Sequence, residues 1–166
     1  MYRVKIAIAK EDHTMKLAEA LQERSDLNRK IEELRRRLGN CVLVQEGEEP
    51  AEDPAALLRE LDGAVARLAV LMAAINLTNS KTKVNGQTLT ELIAKKDALT
   101  VQLAAYRDLV YAAGQSTSRA RGTEIKVKAL LRGADLQKTA DGIARELRLL
   151  DNTLQETNWK TKLLEN

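Results

Sequence analysis

His13 is the only histidine in the sequence and Cys41 the only cysteine. Those two counts limit site chemistry at once. A di-iron carboxylate bundle needs Glu-x-x-His on two helices, and one histidine cannot supply it. Zinc sites of the Cys/His kind fail for the same reason. A Cys–His nucleophile needs the two side chains to meet, yet the helix predicted between them puts residue 41 at the opposite end from residue 13. There is no Gly-Lys-Ser/Thr phosphate loop and no Gly-x-Gly-x-x-Gly turn. Asn76-Leu77-Thr78 matches a glycosylation acceptor, but it falls inside a predicted helix. The sequence therefore offers no catalytic, cofactor-binding or metal-binding set, and predicts a protein that is not an enzyme and takes no cofactor.

Three other groups of polar residues invite a functional reading. The first is Arg24, Asn28, Asn76, Asn79, Asn152, Gln155 and Asn158, which fall at or beside positions where helical spacing expects apolar residues. A buried Asn weakens a coiled coil while fixing its register and partner number. The sharper alternative is a small-ligand pocket inside the bundle. If the layer sets register, replacing Asn28 or Asn152 with Leu raises stability and changes assembly. The second group is acidic: Glu46, Glu48, Glu49, Glu52 and Asp53. It lacks the Asp-x-Asp-x-Asp-Gly spacing of a calcium loop, so a solvated acidic connection is expected. The third is basic: Arg119, Arg121, Lys126, Lys128 and Arg132. It could meet phosphate or an acidic partner, against the plainer reading of solvated loop charge.

Four helices must position these groups. The first is expected from about Thr14 to Leu38, with Leu17, Leu21, Ile31, Leu34 and Leu38 on one face. Gly39-Asn40 is read as its stop. The second starts at Asp53-Pro54, an N-cap followed by a favourable first residue. Its stripe is read as Leu57, Leu58, Leu61, Val65, Leu68, Leu71, Met72 and Ile75, ending near Asn79. Asn85-Gly86 is a turn signal. Thr88 to Glu91 forms a capping box that opens a third helix fading at Ala113-Gly114. The fourth carries a heptad seam of Leu136, Ala140, Ile143, Leu147, Leu150, Leu154, Thr157, Thr161 and Leu164.

Short alternating stretches suggest three strands: Tyr2, Val4, Ile6 and Ile8 near the start, Cys41 to Gln45, and Ile125 to Leu131. Helices running up, down, up, down would put 41–45 beside 125–131 and leave the N-terminal segment at the other end. Its partner would then come from another subunit, since an unpaired edge strand invites such pairing. Tyr2, Val4, Ile6 and Ile8 are the candidate self-association residues.

Composition agrees with this frame. The 166 residues contain two prolines, no phenylalanine and 31% charged residues. That mix favours long helices. The fold class expected is all-α: an antiparallel bundle of four long coiled-coil-like helices over one domain, 1–166, with a small β element in the connections. An N-terminal arm spans 1–10, an acidic connection 39–53 and a basic connection 114–134. A net charge of +3 is too balanced to demand nucleic acid. The longest uncharged apolar run, Leu68 to Ile75, is short of the ~20 residues of a membrane span. The start is too short and charged for a secretory signal, and one cysteine fits a reducing compartment. A cytoplasmic protein is expected, with a homo-oligomer as the leading partner state.

Five stretches also carry a family likeness: Lys16 to Arg24, Val44 to Pro54, Ile75 to Asn79, Gly86 to Glu91, and Leu150-Asp-Asn to Asn158-Trp159. In these the chain resembles the septicolysin-like family of small bacterial proteins, a domain of unknown function. The resemblance implies a small, cytosolic, all-helical protein, and through the family's name a membrane-active, cytolysin-like alternative to the interaction protein.

Overall fold

The computed structural model describes residues 14–115 and 128–164. The fold is all-α, as expected. Its helices are α1 (Leu17–Cys41), α2 (Pro54–Lys81), α3 (Leu89–Gly114) and α4 (Gly133–Lys160), with a small hairpin of β1 (Lys83–Val84) and β2 (Gln87–Thr88). The described residues group into two compact units. One comprises residues 14–78 and 159–164, the other residues 79–115 and 128–158.

The first unit is built on the antiparallel pair α1 and α2. Glu23 meets Arg67, Lys30 meets Glu60 and Arg37 meets Glu52, so the chain positions run in opposite senses. Near the turn, Leu34, Cys41 and Leu57 form a buried cluster flanked by Leu38 and Leu61. This cluster corrects the expected end of α1. The helix runs through Gly39 and Asn40 to Cys41, because one more turn buries the Cys41 side chain. The strand expected at 41–45 is absent for the same reason. The Val42 amide still donates to the Leu38 carbonyl, and the chain beyond it turns through Gln45 and Glu48. Asp53 caps α2 as read, its Oδ1 accepting from the Ala55 amide at 2.9 Å.

The other end of this unit is closed by both flanks of the helical chain. The Leu17 amide donates to the Thr161 carbonyl at 2.9 Å and the Leu163 amide to the Met15 carbonyl at 2.8 Å. Lys16 and Lys162 form an antiparallel bridge. The expected fourth-helix seam is therefore cut short. After Lys160 the backbone is extended, Leu163 is buried and Leu164 exposed. Tyr2, Val4, Ile6 and Ile8 lie outside the described residues.

Fully buried Thr78 ties this closure to α2. Its hydroxyl donates to the Ala74 carbonyl at 2.7 Å and accepts from the Leu164 amide at 2.9 Å. A buried polar group needs such partners to offset its desolvation.

In the second unit, Asn85 and Gly86 both take positive φ, 51° and 87°. That is the two-residue turn whose twist suits a hairpin. β1 and β2 pair antiparallel, Lys83 with Thr88 and Val84 with Gln87. Thr88 then opens α3. Its Oγ1 accepts from the Glu91 amide at 3.2 Å, and the Glu91 carboxylate accepts from the Thr88 amide at 2.6 Å. Leu99 and Leu103 of α3 pack with Ala140 and Ile143 of α4, supported by Tyr106, Ala144, Leu147 and Leu150. Lys95–Glu146 and Lys96–Asp151 pairs flank that core. The strand expected at 125–131 is absent over its described part, residues 128–131. The Arg132 carbonyl already accepts from the Asp135 and Leu136 amides, so the chain is turning into α4.

Thr78→Val keeps the side-chain shape but leaves the Leu164 amide without its acceptor. It is expected to cost about 1–2 kcal/mol of stability, read as a lower urea midpoint with unchanged helical circular dichroism.

Candidate interaction surface

α2 carries two apolar seams, and only one is covered. Leu57, Leu61, Ala64, Leu68, Leu71, Ile75 and Thr78 step by four and three, and all are buried or half-buried. One residue later along the chain run Leu58, Asp62, Val65, Ala69, Met72 and Asn76, again in steps of four and three. All six are exposed. On a helix of 3.6 residues per turn the two lines lie about 100° apart. Ala66, Val70 and Ala73 widen the exposed side, and all three are exposed. Leu58, Val65 and Met72 keep 51, 48 and 45% of their surface open. The stripe read from the sequence merged these two seams into one.

By length and composition α2 could cross a membrane, and 28% of its most apolar eighteen residues are buried. The short uncharged run Leu68 to Ile75 hid this, because Asp62 and Arg67 interrupt an otherwise apolar stretch. A helix apolar on nearly every side needs cover on nearly every side. α1 is different. Its buried Leu17, Ala20, Leu34 and Cys41 share the helix with a face rich in Glu and Arg.

Two of the five charged residues of α2, Glu60 and Arg67, pair with α1. Arg67 donates to both carboxylate oxygens of Glu23, at 2.7 and 2.9 Å, which holds the Glu23 carboxyl below the usual range. Lys30 does the same for Glu60 at 2.7 Å. Arg37 grips Glu52 through Nε, 3.1 Å from each oxygen, and lowers its pKa too. Part of the acidic connection is thus neutralised by α1.

The predicted polar layer is not a buried layer. Asn28, Asn76, Asn152 and Gln155 are exposed, and Arg24, Asn79 and Asn158 half-buried. Gln155 donates to Asp151 Oδ2 at 2.9 Å on the surface of α4. Burial is set by which side of each helix its hairpin partner covers, and these residues lie off that side. Asn76 alone among them falls on the open seam of α2. Of the basic group, Lys128 and Arg132 are exposed, with Arg132 Nε 3.7 Å from Asp135 Oδ2. Arg119, Arg121 and Lys126 lie outside the described residues, as does His13. Cys41 sits in the apolar cluster between α1 and α2. Among the described residues no group of three or more His, Cys, Asp or Glu is arranged to hold a metal ion.

Residues 24–163 match a family of unknown function, DUF6847. The chain belongs to this family. The finding overturns the septicolysin-like resemblance, since four of the five quoted stretches lie within the residues matched to DUF6847, and the cytolysin alternative loses its support. The same fold occurs in a functionally unknown conserved protein from Corynebacterium diphtheriae, whose crystal structure aligns with a TM-score of 0.85 and 38% identity. The alignment covers 90% of this chain and 99% of that one. No curated protein matches.

The lowered carboxylates of this DUF6847 chain, Glu23, Glu52, Glu60, Glu91 and Asp151, contribute to its acid behaviour. Each has a folded pKa below its unfolded value, about 4.3 for Glu. Their stabilisation is complete above that value and is lost as pH falls through the depressed folded values. Denaturant midpoints are expected to stay level from pH 7 to about 5 and to drop below about 4.3. Glu23→Gln should flatten part of that drop.

Proposed function

We propose that this chain is a non-enzymatic interaction protein that associates with copies of itself through α2. The observation that carries this reading is the exposed second seam, Leu58, Asp62, Val65, Ala69, Met72 and Asn76. Heptad spacing is the pattern by which one helix packs lengthwise against another. An apolar strip of this kind on a folded protein marks an interaction site. Closed homo-oligomers are the common way to cover such a surface. The cytoplasm is the compartment this reading takes, supported by a buried, unpaired Cys41.

Light scattering on the full chain tests it. The expected mass is at least twice the 18.4 kDa of one chain. Val65→Lys with Met72→Lys should return the mass to one chain while circular dichroism stays helical, because both side chains are exposed. A single-chain mass for the unaltered protein at high micromolar concentration would reject the reading.

A further inference from the structure

The open seam of α2 has a direction built into it. The charged residues of α2 as a whole are Arg59, Glu60, Asp62 and Arg67, followed by none until Lys81. Arg67 and Glu60 are engaged with Glu23 and Lys30 of α1, and Arg59 lies 3.9 Å from Asp53 at the start of its own helix. Asp62 remains, on the seam itself and exposed. The other polar residue of the seam, Asn76, lies fourteen positions along, four helical turns away.

Resting on the self-association reading, we propose that the partner is the α2 of a second copy, packed antiparallel along this seam. A parallel pair would set Asp62 against its own counterpart, two carboxylates across one apolar contact. Like charges in such a place repel, and removing them from water adds to the cost. An antiparallel pair sets Asp62 against the uncharged half of its partner instead. In the register that pairs Leu58 with Asn76, Asp62 faces Met72 and Val65 faces Ala69. The Asn76 amide then lies about one turn from the partner carboxylate, within reach of a donated hydrogen bond. The two-fold axis passes near Arg67, and the same contacts occur twice, so the assembly closes as a dimer. Val65 and Ala69 of both copies fill the middle, followed toward each end by the Asp62–Met72 layer and then the Leu58–Asn76 layer.

The seam is also set for this by its neighbour. It lies about 100° from the seam that α1 covers, so a second helix can lie beside α2 without displacing the first. A lipid surface is the competing occupant of an apolar helix. It would have to accept Asp62 and Asn76 on the immersed face, whereas a second helix can use both.

Cross-linking separates the cases. Leu58→Cys and Asn76→Cys chains are prepared, one carrying a size tag, and each is treated with a short bismaleimide alone and after mixing. The unaltered chain, with buried Cys41, gives the background. An antiparallel pair gives a tagged–untagged product in the mixture and none from Leu58→Cys with itself. Leu58→Cys joining to itself would mean a parallel pair and overturn the proposal. A dimer by light scattering with no product from either residue would also overturn it, yet leave self-association standing through another surface. A monomer by light scattering rejects both. Flotation of the unaltered chain with phosphatidylcholine–phosphatidylglycerol vesicles, in place of dimerisation, would assign the seam to lipid and overturn the proposal.

Discussion

The rest of the structure depends on α2 having more apolar surface than α1 can cover. A helix in a hairpin has one neighbour, and one neighbour buries a stripe about one seam wide. α1 obeys that rule, with its remaining surface charged. α2 does not, because Leu58, Val65, Ala69 and Met72 repeat its buried seam one residue out of phase. Burying an exposed Val or Leu side chain is worth about 1.5–3 kcal/mol when complete. Several such half-exposed side chains on one line make a strong and directional demand for a second helix.

The two units are held by the same few devices at different places. Each pairs two helices antiparallel over Leu-rich clusters and flanks the seam with cross-helix ion pairs: Glu23–Arg67 and Lys30–Glu60 in one, Lys95–Glu146 and Lys96–Asp151 in the other. Those pairs are largely solvated, and solvated pairs add little stability each. Their value is in choosing register, since a slip by one turn would set Glu23 and Lys30 against apolar residues of α2. The first unit has a further lock. The extended chain on either side of its helical segments pairs backbone to backbone, and the Thr78 hydroxyl joins that ladder to α2. That places stabilising hydrogen bonds where two helix ends would otherwise expose unpaired groups.

The helices were legible because local signals named their starts. Asp53-Pro54, the Thr88–Glu91 box and Asn85-Gly86 act within a few residues, and each does in the structure what its chemistry predicts. The misreadings came where distant contacts decided. Gly39 did not stop α1, because burying Cys41 against Leu57 outweighs a glycine's preference to end a helix. Thr161 and Leu164 keep the heptad spacing but lie outside α4, because residues 15–17 offer the chain an extended partner. β-branched and apolar runs at 41–45 and 128–131 lacked such a partner and formed no strand. Of the candidate site, Asn76 was named from its spacing. The surface around it was hidden by reading eight apolar residues of α2 as one stripe. Spacing in steps of four and three, applied separately to Leu57 and Leu58, resolves the two seams.

Asp62 and Asn76 give the open seam its meaning. A wholly apolar strip would favour lipid, aggregation and partner helices alike. Ionised Asp at the centre of a bilayer-spanning helix costs about 2.5–3.5 kcal/mol on insertion scales, and an unpaired amide adds to that. Between two helices the same residues cost less, because each can reach a polar group on the partner, and they cost least in one orientation and one register. In the proposed antiparallel dimer, polar residues at two of six seam positions therefore lower the strength of association and raise its selectivity. In that dimer the sequence of α2 is a compromise: one seam folds the hairpin, and the other, weaker and more exacting, selects the second copy.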